Sequence, residues 1–365
     1  MKTRDEIQAE ALAAIEGKQN ASVEISMGVG KTFLGLKHML KNYTDICMFL
    51  VVGAKRTHFD AWKDECKKRN CEQLLDHITF STYRSLNKQS LNYDVVYLDE
   101  CHNLKESHRN YLKEASSNSK IIGLTGTYPD KANSEKGIMC NTFCPKVFSY
   151  DTDDAIADGI LNNYNIYVHM LKLSSKKDIP KKTRDGRIFY TSEVNDYMYW
   201  SDQIAVASTK KREQIARIKR MHILKMFKTK EKYAQKLFNK QWNKTLIFAN
   251  TIDQADRFCK HTHHSRNKKS KENLEAFKNG TINKLAAVEQ LSESVNIPDL
   301  RCGIIMHAYG NNRKASQKIG RLLRLNPDET ADIHILCYIN TIDDEWVEKA
   351  LVKFNEDKIW MIKNE

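Results

Sequence analysis

The sequence predicts an α/β protein made of two consecutive units, each a parallel sheet covered by helices. Three observations carry this. Short apolar runs of strand length alternate with segments whose apolar residues fall three and four apart. The strand-like runs are almost continuously apolar, as parallel strands buried on both faces are. The alternation then occurs a second time, in a chain of 365 residues that is too long for one ordinary core.

In the first half, strands are predicted over 21–26, 46–52, 77–81, 94–98 and 120–124, with helices over stretches such as 32–41 and 58–69. A boundary is predicted near 145–165, around Pro145 and the acidic stretch 151–158, which divides the chain into domains 1–150 and 151–365. In the second half, 165–173, 244–249, 284–288, 302–307 and 333–339 are strand-like, and a helix is predicted over 343–354. A helical and basic insertion, about 174–243, interrupts this second unit. Its first part, 174–187, is polar with Pro180 and an Asp185-Gly186 turn signal. Its second part is helical: residues 210–244 carry 13 Lys and Arg against two Glu, while Ile215, Ile218, Leu224, Phe227, Leu237 and Phe238 supply an apolar face. Such a charge run is either a solvated helix face or a track for a polyanion, and both readings stand at this point.

Apolar residues make up 41% of the chain and charged residues 29%, the balance of a folded protein. The net charge of +13 favours a polyanionic partner, nucleic acid before an anionic membrane surface. No apolar stretch approaches the roughly 20 residues that cross a bilayer, and the N-terminus lacks the apolar core of a secretory signal. No membrane association is expected. The nine cysteines, odd in number and scattered, read as reduced buried thiols of a cytoplasmic protein. Neither Cys259 with His261, His263 and His264 nor the pair Cys140 and Cys144 has a second pair at ligand spacing, so no metal is expected on them.

Three short runs carry chemistry. Gly28-Val29-Gly30-Lys31-Thr32 follows an apolar strand and opens a helix. Glycines there let backbone N–H groups approach a phosphate, Lys31 neutralises its charge, and the Thr32 hydroxyl is offered to Mg²⁺. The longer form of this loop has glycine where this chain has Ile25. Asp94-Val95-Val96-Tyr97-Leu98-Asp99-Glu100 is an apolar strand ending in two carboxylates, at the end of a parallel strand where ligands sit. Asp99 suits a hydrated Mg²⁺, and Glu100 suits the orientation or deprotonation of a water. In Gln317-Lys318-Ile319-Gly320-Arg321-Leu322-Leu323-Arg324, a helix places both arginines on one face, where they can stabilise phosphoryl charge.

Together these runs resemble superfamily 2 helicases and translocases, with motifs spanning nearly the whole chain. Gly28 to Thr32 match motif I, Asp99 to His102 motif II, Thr125-Gly126-Thr127 motif III, and Gln317 to Arg324 motif VI. Val51-Val52-Gly53-Ala54-Lys55 followed by Trp62 and Glu65 is similar to motif Ia of double-stranded-DNA translocases. Ser81-Thr82-Tyr83-Arg84-Ser85-Leu86 is similar to the next DNA-contact motif, Thr245 to Asn250 to motif IV, and Glu289 to Pro298 to motif V. Ala155 to Leu161 resembles the group's linker. Gly126, Lys318 and Ser294 depart from the usual residues and remove no proposed catalytic group.

The resemblance implies two tandem RecA-like domains with ATP and Mg²⁺ between them. Lys31, Thr32, Asp99 and Glu100 hold them from the first domain, and Gln317, Arg321 and Arg324 complete the site from the second. It implies that Gln8 reads adenine, although a lone helical Gln is more often plain surface. It also implies that Lys55, Thr82, Asn250 and Thr251 grip the nucleic-acid backbone and that Thr125 and Thr127 relay between the two sites. The expectation is an ATP-dependent DNA helicase or translocase acting on single-stranded, duplex or branched DNA. An RNA-directed ATPase and an ATP-switched nucleic-acid clamp are the alternatives. A monomer is expected; with no room for a large accessory domain, substrate preference is expected to come from short insertions or a partner protein. Compact size associates such a chain with viral genomes, phage included, and hence with a host cytoplasm.

Overall fold

The computed structural model describes residues 1–26, 28–129, 131–183, 185–288, 297–307, 329–352 and 354–363. They fall into two compact units: Met1–Asn163 forms the body of the first, and Tyr164 onward most of the second.

The first unit opens with helix α1 (Arg4–Ile15), started by a capping box in which Thr3 and Glu6 satisfy each other's backbone N–H groups. Strand β1 (Asn20–Ile25), helix α2 (Lys31–Lys41), β2 (Phe49–Gly53), α3 (Thr57–Lys68), β3 (Ile78–Thr82), β4 (Val95–Asp99), α4 (Arg109–Asn118), β5 (Lys120–Thr125), α5 (Glu135–Phe143), β6 (Lys146–Tyr150) and α6 (Thr152–Ala157) follow. The sheet order is β3-β2-β4-β5-β1-β6, parallel at every pairing. All strands therefore point the same way, and the loops after β1, β4 and β5 share one edge. Strand β6 lies in the stretch read from sequence as a domain boundary. It pairs on one side only, and its interleaved polar residues face solvent, so it lacks the continuous apolar run of a central strand.

On one face of this sheet, Leu50, Val96, Leu98 and Ile121 pack with Leu112 and Phe143. Cys101, Cys140 and Cys144 join this core with their sulfurs all within 4.8 Å of one another. Sequence spacing gave Cys140 and Cys144 no partner; the third thiol adjoins them only in space. Hydrogen bonding within the trio, followed by burial, pushes the Cys101 thiol well above its ordinary value, which favours the protonated form.

The second unit contains β7 (Asn163–Leu171), a hairpin of β8 (Ile179–Lys182) and β9 (Ile188–Thr191), and helices α7 (Glu193–Ala205), α8 (Lys210–Met226) and α9 (Lys228–Lys240). Then come β10 (Thr245–Ala249), α10 (Ile252–Phe258), β11 (Thr262–His263), α11 (Ser270–Lys278), β12 (Lys284–Val288), β13 (Cys302–Ile305), β14 (Thr330–Tyr338), α12 (Ile342–Leu351) and β15 (Ile359–Lys363). The main sheet runs β11-β12-β10-β13-β14-β7-β15. Ile247, Ile304 and Leu336 meet Phe238 of α9 and Phe258 of α10 in its core.

The insertion is thus a hairpin followed by three helices. Part of its positive charge is structural: Lys230 is 1% exposed, ion-paired to the buried Asp343, and its ammonium also donates to Leu336 O at 3.1 Å. His307 Nδ1 lies 3.1 Å from the other oxygen of Asp343. Lys244 is also buried, its ammonium donating to the Lys278 and Pro298 carbonyls at 3.0 and 2.7 Å. No helix among the described residues is long and apolar enough to cross a membrane.

Candidate active site

Strand β1 delivers the chain to one sheet edge, where the loop before α2 turns through Gly28 (φ +93°) and Gly30 (φ +105°), conformations costly for any residue with a Cβ. Gly30 is the N-cap of α2, and no side chain caps that helix. Its first N–H groups and its positive dipole end are therefore available to an anion. Lys31 returns its ammonium to the Ile25 carbonyl at 3.3 Å, which holds it over the loop. Thr32 sits half-buried one residue further on.

Gln8 is not surface. It is 4% exposed, its Nε2 donates to Val29 O at 3.1 Å, and its Oε1 is buried with no hydrogen-bond partner. Helix α1 thus clamps the glycine loop through Gln8 and leaves one aimed acceptor unused.

Strand β4 brings Asp99 and Glu100 to the same edge. Glu100 adopts a left-handed backbone (φ +56°, ψ +56°), a strained conformation for a non-glycine residue of the kind concentrated at functional sites. Burial, and next the neighbouring Glu100, push the Asp99 carboxyl above its usual range. Burial pulls Glu100 upward as well, but Lys31, His102 and His58 outweigh it and hold Glu100 below its usual value. The two carboxylates are therefore differentiated by their surroundings, and Lys31 acts on both.

Asp99 is oriented by groups that sequence reasoning assigned no such role. The Trp62 indole N–H donates to Asp99 Oδ2 at 3.1 Å, and His58 Nδ1 lies 3.9 Å from the same oxygen. The Tyr83 hydroxyl donates to the Asp99 carbonyl at 3.1 Å. The one available sequence signal was a Trp on the inward face of α3, an apolar position that also carries a donor.

Thr125, at the end of β5, is the junction behind Glu100. Its hydroxyl oxygen lies 3.3 Å from Glu100 Oε2, 2.9 Å from His102 Nδ1 and 3.0 Å from Thr127 O, and it accepts the Thr127 N–H at 3.1 Å. The hydroxyl carries one proton, so it donates to Glu100 or to Thr127 O but not to both at once.

Gly53 and Thr82 are register partners at the ends of β2 and β3, so Thr82 and the loop carrying Lys55 lie on this same edge. In the second unit, Asn250 and Thr251 follow β10. Thr251 caps α10 by accepting Gln254 N–H at 3.2 Å, and Asn250 Nδ2 reaches Lys225 O at 3.5 Å. Gln317, Arg321 and Arg324 lie outside the described residues, as do Lys318 and Ser294. Cys259, His261, His263 and His264 do not converge: the Cys259 thiol donates to His261 O, His263 meets Ser270, and His264 meets Asp256.

A single edge of the first sheet therefore carries an anion cradle, a cation and two unlike carboxylates, the set required to hold a metal-bound phosphate chain and aim a water at it. A family model described as "Helicase conserved C-terminal domain" matches residues 228–326, and one described as "Type III restriction enzyme, res subunit" matches residues 1–130. The chain is 22% identical to the DNA 3'-5' translocase XPB2 of Sulfurisphaera tokodaii, over 90% of this chain and 80% of that protein. Its fold is similar to that of the ATP-dependent Type ISP restriction-modification enzyme LlaBIII bound to DNA (TM-score 0.63, 12% identity), covering all of this chain and 31% of that enzyme. It also resembles a fragment of a type I restriction enzyme HsdR subunit from Vibrio vulnificus YJ016 (TM-score 0.62, 15% identity, 98% of this chain and 68% of that one). The Hef helicase domain of Pyrococcus furiosus is a further likeness (TM-score 0.51, 15% identity, 95% of this chain and 97% of that one). With both family models matched in order along the chain, the chain belongs to the superfamily 2 helicases and translocases and is an enzyme of that class.

Proposed function

We propose that this chain is an ATP-driven DNA translocase, with Lys31, Thr32, Asp99 and Glu100 as the heart of its hydrolysis site. The observation that carries this reading is the convergence of the uncapped α2 start, Lys31 and the differentiated Asp99–Glu100 pair on one sheet edge. The residues fit Mg²⁺-ATP: glycines 28 and 30 leave room for phosphate, and the unused buried Gln8 Oε1 is an acceptor for an adenine amino group. Thr32 and Asp99 would hold the magnesium ion, which supplies charge neutralisation on the phosphates when bound.

In this reading Lys31 neutralises phosphate charge, and Trp62 fixes the Asp99 carboxylate by filling one lone-pair direction. Glu100, kept ionised by Lys31 and His102, orients the attacking water and accepts its proton. Gln317, Arg321 and Arg324 are assigned to the developing charge on the transferred phosphoryl group. Thr125, bonded toward either Glu100 or Thr127, carries the nucleotide state toward the nucleic-acid contacts, for which Lys55, Thr82, Asn250 and Thr251 are the candidates. These contacts address phosphates, as sequence-independent tracking requires.

DNA as the track is supported by the translocase relative and by the motif around Trp62. The test is ATP turnover measured with duplex DNA, single-stranded DNA and RNA, followed by strand displacement on forked, tailed and four-way DNA. Stimulation by DNA above that by RNA is expected. Equal or greater stimulation by RNA would overturn the assignment of the track.

A further inference from the structure

The β8–β9 hairpin has one face that nothing in the second unit covers. Its register pairs Ile179 with Thr191, Pro180 with Tyr190, Lys181 with Phe189 and Lys182 with Ile188. Alternation along the strands puts Ile179, Lys181, Phe189 and Thr191 on one face and Pro180, Lys182, Ile188 and Tyr190 on the other.

The first of these faces is attached through Ile179 and Lys181, while Phe189 on it is 49% exposed. Ile179 packs against the core of the second unit, and the Lys181 ammonium pairs with the buried Asp196 of α7 at 2.7 Å. The root is tied to the same helix, with Ser174 N–H donating to Glu193 Oε2 at 3.0 Å and Val194 N–H to Ser174 O at 3.2 Å. The tip is closed by Thr183 N–H to Arg187 O at 2.9 Å and Gly186 N–H to Thr183 O at 3.1 Å, with Gly186 at φ +90°. A two-stranded ribbon is marginal by itself; here one face and the root hold it in place.

All four residues of the opposite face are exposed, Ile188 at 65% and Tyr190 at 61%. A Pro–Tyr pair beside an Ile and a Lys, fixed on a held ribbon, is an apolar platform with a cation at its rim. Residues 171–191 contain seven Lys and Arg against two Asp, so its surroundings attract a polyanion. The patch is narrow, four side chains on two short strands. A ring with a lysine on the same face is an arrangement that stacks a base and holds an adjacent phosphate.

We propose that this face binds single-stranded nucleic acid, with a base stacked on Tyr190 against Pro180 and Ile188, and with Lys182 on the neighbouring phosphate. The proposal rests on the translocase reading and adds to it a single-strand contact separate from the strand-end residues. No base edge is read there, so the contact is indifferent to sequence.

The test is binding of a fluorescein-labelled dT20 oligonucleotide to the full chain at fixed, low salt. Tyr190→Ala is expected to weaken binding by about 5- to 150-fold, the range expected for loss of one stacked base. Tyr190→Phe is expected to bind as wild type, because it keeps the ring. Lys182→Ala is expected to reduce the salt dependence of binding by about one counterion's worth. Equal thermal midpoints for all three variants and wild type will exclude misfolding as the cause. Wild-type affinity for dT20 in both Tyr190→Ala and Lys182→Ala overturns the hairpin proposal and would reassign its exposed face to a protein partner. If that outcome is accompanied by DNA-stimulated ATP turnover, the translocase reading stands without the hairpin. Absence of both dT20 binding and ATP turnover in the wild type removes both.

Discussion

The indole N–H of Trp62 donates to Asp99 Oδ2 at 3.1 Å, joining the helix after β2 to the carboxylate at the end of β4. Trp62 is fully buried, and its ring fills the space that a Cβ on Gly35 would occupy. The side chain is therefore a packing element and an orienting donor at once. Trp62→Phe keeps most of the volume and removes the donor, leaving an Asp99 oxygen less constrained in a buried site. We expect the Mg²⁺ concentration for half-maximal ATP turnover to rise about tenfold, in line with the 10- to 100-fold cost of losing a group that orients a metal ligand. An unchanged Mg²⁺ dependence would confine Trp62 to packing.

Glu100→Gln keeps the shape and the contact with Thr125 but cannot accept a proton. ATP turnover should fall by about 10² to 10⁴, the usual range for a general base, while binding of a fluorescent ATP analogue is retained. Unchanged turnover would remove Glu100 from the chemistry and with it the proposed mechanism.

Gly30 is required twice over. At φ +105° a side chain is strained, and an added Cβ would stand 2.7 Å from Gln8 Nε2. Gly30→Ala should lower stability by about 1–3 kcal/mol and reduce nucleotide affinity. The double variant Gly30→Ala/Gln8→Ala should recover part of the stability loss, because it removes the steric contact and leaves the backbone strain, while nucleotide affinity stays low without the Gln8 acceptor. Full recovery would show that backbone strain contributes nothing.

These residues also show where sequence alone reached. The glycine loop and the Asp99–Glu100 pair were legible because each combines local residue identity with an apolar strand that must end at a sheet edge. For Gln8 the sequence left an adenine-reading role beside plain surface, since burial of one polar residue in a short helix depends on the loop that it meets 21 residues later. The bond from Trp62 to Asp99 and the thiol trio with Cys101 were illegible for the same reason: each is a contact between elements distant in sequence. Strand β6 escaped because it is an edge strand with interleaved polar residues, whereas β15 is a short apolar run, Ile359 to Ile362, left half-exposed at the edge of the second unit's sheet. The charge of 210–244 was read as solvated face or polyanion track, and neither reading anticipated Lys230 and Lys244 in the interior.

Lys230 is a case where removing one partner costs more than the pair contributes. Its ammonium and the Asp343 carboxylate are both buried, and Lys230 and His307 hold that carboxyl well below the usual range against the opposing effect of burial. Asp343→Ala leaves an ammonium stranded in the core. The expected loss is about 3–5 kcal/mol, read as a lowered denaturant midpoint, and Lys230→Met/Asp343→Leu should recover much of it. If the double variant is no more stable than Asp343→Ala, the buried pair itself is what stabilises this region.

The second unit should also weaken in acid through a histidine pair. His169 Nε2 and His334 Nδ1 lie 2.9 Å apart, and the Tyr233 hydroxyl meets the other nitrogen of His169 at 2.8 Å. Burial depresses both imidazoles to about 4, and the neighbouring His334 adds to the effect on His169. Two nitrogens sharing one hydrogen bond accommodate a neutral pair, whereas a second proton places like charges side by side. In the unfolded chain both histidines take up protons near their ordinary value of about 6.5. Their contribution is therefore complete above about pH 6.5 and is lost progressively as the pH falls toward 4, by at most about 1.4 kcal/mol per pH unit for each group. His169→Asn/His334→Asn removes both titrations, so its thermal midpoint should fall less steeply than wild type between pH 6.5 and 4.5, whatever its offset at neutral pH. Parallel profiles for the two proteins over that interval would show that the pair does not govern acid stability.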